Sequence, residues 1–77
     1  MRRTIGDVRF YLDRVNAQLE RMGVPIRYRV AIRNGNKYLD MYDSDFKTLK
    51  DTIGRGSTTT EMYYILMSLF ETLYHLG

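Results

Sequence analysis

Apolar residues recur every three or four positions in two segments of this chain, one near each end. In the first segment they form a single stripe, which consists of Ile5, Val8, Leu12, Val15, Leu19 and Met22. This spacing predicts an amphipathic helix with one buried face. Thr4, with Asp7 three residues later, favours a helix start there, and Gly23 followed by Pro25 indicates the end of the helix. Phe10 lies away from the stripe among arginines, so we expect it to be exposed, either as a partner contact or as an ordinary surface residue.

The second segment, residues 58 to 77, carries a broader apolar surface than the first. Thr58 followed by Glu61 predicts a capping box, so a helix begins there. Its main core face consists of Met62, Ile65, Leu66, Leu69, Leu73 and Leu76. A second stripe beside that face consists of Tyr63, Met67, Phe70 and Tyr74. The second stripe either packs against the first helix or forms a homodimer or partner surface, in which Met and aromatic residues are common.

Between the helices, Asn34-Gly35 separates two runs in which apolar and polar residues alternate. This pair predicts a two-residue type I′ hairpin in which Arg33 lies opposite Asn36. That register gives an apolar face of Ile26, Tyr28, Val30, Ile32, Leu39 and Met41. The opposite face carries Arg27, Arg29, Ala31, Arg33, Asn36, Tyr38, Asp40 and Tyr42.

Residues 44 to 56 are the least distinct part of the pattern. Phe46, Leu49 and Ile53 have the spacing of a short helix, whereas Thr48 and Thr52 favour a strand. We predict a third strand, because a two-stranded hairpin alone is only marginally stable. The predicted fold is therefore a single α+β domain spanning residues 1–77, with two layers in the order α-β-β-β-α. In it, a three-stranded antiparallel meander has both helices packed on one face.

Composition and charge narrow the functional classes. The chain has 77 residues, no cysteine and a net charge of +3. Its first 33 residues hold eight arginines against three acidic residues, which gives this half a basic character. No apolar run follows the basic start, and none is long enough to cross a bilayer, so we expect a cytoplasmic protein without membrane attachment.

No pattern of catalytic or metal-binding residues stands out. The single histidine, His75, lies on the polar side of the last helix. Asp40, Asp43 and Asp45 lack the spacing and the glycine of a calcium loop, so we expect solvated turn carboxylates. The Gly54-Arg55-Gly56 stretch before a helix start is only a weak anion-binding signal. We therefore expect no enzyme, no cofactor, no metal and no small-molecule substrate.

Arginine and tyrosine alternate on the polar face of the predicted hairpin. Such residues can contact phosphates and stack on unpaired bases. The candidate nucleic-acid contacts are Arg27, Arg29, Arg33, Tyr38 and Tyr42, together with Arg55. In the alternative interpretation, the same side chains cover one another across the strands by cation–π contact.

The order helix, three strands, helix resembles the topology of double-stranded RNA-binding domains. The Gly54-Arg55-Gly56-Ser57 segment is similar to the glycine and serine lead-in to that family's second helix. The family has lysines at the start of this helix, where the present chain has residues 58–61, Thr-Thr-Thr-Glu. The family's first strand connection is also longer than Asn34-Gly35. The resemblance therefore implies the topology and not duplex RNA binding.

Residues 11–16, 38–43 and 58–63 resemble short uncharacterised proteins encoded in bacterial phage and prophage regions. This resemblance implies a cytoplasmic accessory protein and assigns no site. The sequence thus favours a non-enzymatic interaction module that binds a protein partner or itself, with Phe10 and the Tyr63 stripe (Tyr63, Met67, Phe70 and Tyr74) as contacts. The alternative is a nucleic-acid-binding module that uses the arginine and tyrosine face.

Overall fold

The structure, a computed structural model, describes residues 3–45, 47–53 and 58–77. Its elements follow the order helix, three strands, helix, so the predicted α+β class is confirmed. They are α1 (Ile5–Arg21), β1 (Arg27–Arg33), β2 (Asn36–Tyr42), β3 (Thr48–Ile53) and α2 (Thr59–Leu76). The side chains of Arg33 and of β3 lie outside the described set.

The predicted start of α1 is confirmed. Thr4 is the N-cap, and its backbone N–H donates to the Asp7 carboxylate at 2.8 Å while its hydroxyl accepts from the Asp7 N–H. This reciprocal pair satisfies two donors that the helix itself leaves without partners. The hydrogen bond from the Thr4 N–H lowers the pKa of the Asp7 carboxyl, because it stabilises the ionised form.

The predicted end of α1 and start of α2 are confirmed as well. Gly23 follows the last turn of α1 with a φ of 73°, which places it in the left-handed region. Its N–H donates to Glu20 O and the Val24 N–H donates to Leu19 O, both at 3.0 Å, which is a Schellman ending. At α2, the Thr58 hydroxyl accepts from the Glu61 N–H at 3.1 Å.

The hairpin has the predicted turn and register. Asn34 and Gly35 have φ values of 53° and 77°, as a type I′ turn requires. Arg33 lies opposite Asn36, and the antiparallel pairing of β1 with β2 continues to Arg27 opposite Tyr42. Strand β3 pairs antiparallel with β2 on its other side, with register shifts on both sides of Met41.

The buried core joins residues of both helices and of β2. It consists of Val8, Val15, Leu19, Leu39, Met62, Tyr63 and Leu66. Tyr28 and Val30 of β1 pack against this cluster. The cluster explains why α2 is so apolar, since it joins α2 side chains to those of α1 and to Leu39 of β2.

The two helices run in the same direction. Near their N-terminal ends, the Arg3 N–H donates to the Thr60 hydroxyl at 3.1 Å. Further along, the ring of Tyr11 lies 5.2 Å from that of Tyr63 and 6.1 Å from that of Phe70, measured between centroids. The pairing therefore advances along both helices together, and their outer edges form a continuous seam.

Two expectations about the hairpin faces are wrong. Alternation places Ile32 on the apolar face, which we expect to pack against the helices, but it is 69% exposed because it lies beside the turn, outside the core cluster. Tyr38 and Asp40 were assigned to the solvated face, yet they are 5% and 0% exposed. The alternation that separates two faces therefore does not separate buried from solvated positions in β2.

Candidate interaction surface

An open groove of about 470 Å³ follows the outer seam between α1 and α2. Its lining residues are Phe10, Asp13, Arg14, Ala17, Arg21, Phe70 and Tyr74. We call it the seam groove. Phe10 and Tyr74 expose 51% and 60% of their surface, so large apolar groups are in contact with solvent here.

Helix periodicity places these side chains together. On α1, Phe10, Arg14, Ala17 and Arg21 follow spacings of four, three and four, so they share one face. On α2, the two groove aromatics are four residues apart and therefore also neighbours. Because the helices are parallel, these faces meet along the seam, and the small Ala17 side chain leaves space between the larger ones.

The structure thus brings together residues that the sequence suggested separately. Phe10 was a candidate contact on the first helix, and Phe70 and Tyr74 were candidates on the last one. All three line the seam groove. The rings of Phe70 and Tyr74 lie 5.9 Å apart, and Phe10 meets Tyr11 edge-on at 5.3 Å.

Arg14 occupies the middle of the groove wall. Its guanidinium carbon lies 4.3 Å from the centroid of the Phe10 ring and 6.0 Å from that of Phe70. Both distances are in the range of cation–π attraction. Among the described residues, no carboxylate or carbonyl accepts a hydrogen bond from Arg14. Its N–H groups therefore retain their capacity to bind an anion.

The other half of the Tyr63 stripe is not at the groove. Tyr63 is 9% exposed and belongs to the core cluster, which corrects its expected role as a surface contact. Its ring contacts Tyr11, and the Arg3 guanidinium lies 4.4 Å from its centroid. Desolvation raises the pKa of the Tyr63 hydroxyl, and the charge of Arg3 offsets part of this shift. Met67 is partly buried and also packs against the core.

The arginine and tyrosine face of the hairpin is not an open row of contacts. The Arg27 Nη1 group donates to the carbonyls of Val24 and Ile26, each at 2.7 Å. Arg29 lies over the Tyr42 ring at 4.7 Å. Tyr38 is buried and does not present its ring to solvent. The side chain of Arg33, all of Arg55 and the glycines beside it lie outside the described residues.

The remaining chemical candidates have structural explanations. The Asp43 carboxylate accepts from the N–H groups of Asp45 and Lys47, at 2.9 and 3.0 Å, and so closes the turn before β3. Asp40 is fully buried, so the expectation of a solvated carboxylate is wrong there. His75 is exposed in the last turn of α2, where its ring contacts Tyr74.

Sequence reasoning missed the polar members of the groove. Arg14, Ala17 and Arg21 were placed around Phe10 on the exposed side of the first helix but were given no contact role of their own, and Asp13 received no role. The available signal was the four-residue spacing from Phe10 to Arg14, which places a guanidinium over an exposed ring. It became meaningful only once α2 was known to run beside that face.

Comparisons with protein-family models, with curated proteins and with solved structures find no match to this chain. Within residues 3–45, 47–53 and 58–77, no helix combines the length and hydropathy that a bilayer crossing requires. In the same residues, no group of three or more His, Cys, Asp or Glu side chains is arranged to hold a metal ion.

Proposed function

We propose that this chain is a small non-enzymatic interaction module that docks a segment of a protein partner, or a second copy of itself, in the seam groove. The observation that carries the proposal is the convergence of Phe10, Phe70 and Tyr74 from two helices on one open groove. Interfaces are enriched in aromatic and arginine residues, and hot spots combine them in pockets. The groove has this composition.

We also propose that, behind the groove, both helices cover one face of a three-stranded meander. Support comes from the core cluster, in which Leu39 of β2 is buried together with Val15 and Leu66. Because one side of each helix packs on the sheet in this arrangement, the seam is the helical surface that remains available to a partner. The likeness to short phage and prophage proteins is consistent with a cytoplasmic accessory protein.

Nucleic-acid binding through the hairpin face has less support. Stacking on bases needs exposed rings, and Tyr38 is 5% exposed. Phosphate contact needs available guanidinium groups, and Arg27 already donates to two backbone carbonyls. An amide chemical-shift titration with short single-stranded DNA and RNA at low salt tests this alternative. Shifts along β1 and β2 would favour it over the seam groove.

The main test is selection of binders from a random displayed peptide library on the immobilised chain. Binders are then mapped by chemical-shift changes in the labelled protein. We expect shifts at the three groove aromatics, and we expect Phe10→Ala to abolish selection. Tyr64→Ala is the matched control, because Tyr64, on α2, is like Phe10 an exposed aromatic residue, at 47%, but does not line the groove.

Self-association is tested in parallel by sedimentation of wild type and Phe10→Ala. A dimer that dissociates in the variant would identify a second copy as the occupant. If the chain stays monomeric at high concentration and no selected peptide maps to the groove, the proposed function is wrong.

A further inference from the structure

We infer that the occupant of the seam groove is an acidic amphipathic helix of a protein partner, with a carboxylate paired to Arg14. This inference rests on the proposed function and names the chemistry of the partner. It combines three properties of the groove: the backbone that borders it, the charges that line it, and the apolar rings between them.

The borders of the groove favour a helix over an extended segment. Both walls are α-helices, whose interior N–H and C=O groups already bond within each helix. An extended segment in the groove would find no strand edge to pair with, and its own backbone groups would lose water without replacement. A helix satisfies its backbone internally and needs only side-chain complementarity. The α1 wall from Phe10 to Arg21 is about 16 Å long, which matches three turns of a third helix.

The charges that line the groove favour an acidic partner. Among the lining residues that the structure describes, Arg14 and Arg21 are cationic and Asp13 is anionic, which leaves a positive excess. The Arg21 Nη1 group donates to the Gln18 side chain at 3.2 Å, whereas Arg14 has only the two aromatic contacts among the described residues. The Phe10 contact restricts the Arg14 side chain, so less conformational freedom is lost when it binds a carboxylate.

The aromatic rings of the groove determine which partner side chains would lie beside the carboxylate. Phe10, Phe70 and Tyr74 leave apolar surface on both walls, which leucine, methionine or aromatic side chains at helical spacing would cover. Nucleic acid would offer phosphates to Arg14 but few apolar groups for this surface. A second copy would present the same excess of positive charge, and like charges across an interface are unfavourable. An acidic amphipathic helix satisfies both the charges and the rings.

The test uses a displayed library of helical peptides with a fixed leucine stripe and flanking positions drawn equally from Glu, Gln, Lys and Ala. Only binders that fail to bind Phe10→Ala are counted, which restricts the readout to the groove. We expect Glu to be enriched over Gln and Lys. We also expect selection on Arg14→Gln to lose this enrichment and selection on Arg9→Gln to keep it. Arg9 is the matched control, because it is exposed on α1 and does not line the groove.

Affinity measurements on one selected peptide provide the quantitative readout. A charge-assisted hydrogen bond corresponds to about a tenfold change in affinity, so Arg14→Gln should weaken binding by about that factor. Arg14→Lys, which keeps the charge but not the bidentate geometry, should lie between wild type and Arg14→Gln. Added salt should weaken the wild-type complex more than the Arg14→Gln complex.

The outcomes separate the inference from the proposed function. Groove binders without Glu enrichment, or equal effects of Arg14→Gln and Arg9→Gln, overturn the acidic partner and leave the docking function standing. Binders that contact only the hairpin, or a complete absence of groove binders, overturn both. Circular dichroism of each variant establishes that a loss of binding is not a loss of fold.

Discussion

The side chain of Asn16 forms hydrogen bonds with the outer edge of β1, and its removal should destabilise the whole domain. Its Nδ2 group donates to Tyr28 O at 3.0 Å, and its Oδ1 accepts from the Tyr28 N–H at 2.8 Å. Tyr28 lies opposite Met41, an odd number of residues from the pair that closes the two-residue turn. At such a position both backbone groups face away from β2. Asn16 therefore acts as a one-residue substitute for a neighbouring strand.

Asn16→Ala removes both hydrogen bonds without changing the turn or the core. Two net hydrogen-bond contributions amount to about 2 kcal/mol. The higher helix propensity of alanine returns roughly 0.6 kcal/mol, because position 16 is in the interior of α1. We therefore expect the free energy of unfolding to fall by about 1.5 kcal/mol.

The measurement is urea unfolding of wild type and Asn16→Ala, with Asp13→Ala as the control. Asp13 is exposed on the same helix and has a similar helix propensity to Asn16, so its replacement gives the propensity gain alone. The thermal midpoint of Asn16→Ala should fall by roughly 6–12 °C for a domain of this size.

Amide hydrogen exchange gives the local readout for the same variant. The Tyr28 N–H should exchange faster in Asn16→Ala relative to the amides of β2, because its acceptor is gone. The reasoning is refuted if Asn16→Ala is as stable as Asp13→Ala, or if the Tyr28 amide retains its wild-type protection.

Two further predictions concern local conformations. Hydrogen bonding from the Thr4 N–H lowers the pKa of the Asp7 carboxyl, so the contribution of Asp7 to stability is present above the ordinary pKa of 3.8 and is lost as the pH falls through the folded-state pKa. Asp7→Asn should therefore lower stability at pH 7 and flatten the pH dependence of unfolding in acid. An unchanged acid profile would contradict this. Gly35→Ala should cost about 1–2 kcal/mol in thermal or urea unfolding, because Gly35 has a φ of 77°. Asn34→Gly is the control and should change stability little, since glycine accepts the same φ; equal losses in both variants would exclude backbone conformation as the cause.

The features that sequence predicted well depend on neighbours in the chain. The capping pair at Thr4, the left-handed Gly23 and the turn at Asn34-Gly35 each involve residues within a few positions of one another. Their chemistry permits one local geometry, so the bounds of α1 and the register of the hairpin follow from sequence.

Features that depend on distant elements were predicted poorly. Alternation places Tyr38 and Asp40 on the face opposite Leu39, but it does not reveal that these two side chains are buried. The exposure of Ile32 depends on which part of β1 the core cluster reaches. The hydrogen bonds of Asn16 to Tyr28 likewise depend on which side of α1 faces β1. The seam groove depends on the direction of α2.

The parallel direction of the two helices has a consequence for the order of assembly. The chain must return along the length of α1 before α2 can pair with it, and residues 22–58 make this return. Closing so long a loop carries a larger entropic cost than closing the hairpin, whose strands are joined by two residues. We expect the seam to be completed last, so that groove binding during refolding appears only with the slowest phase. Binding that preceded this phase would contradict the expected order. A partner in the seam groove would then recognise only chains that have finished folding.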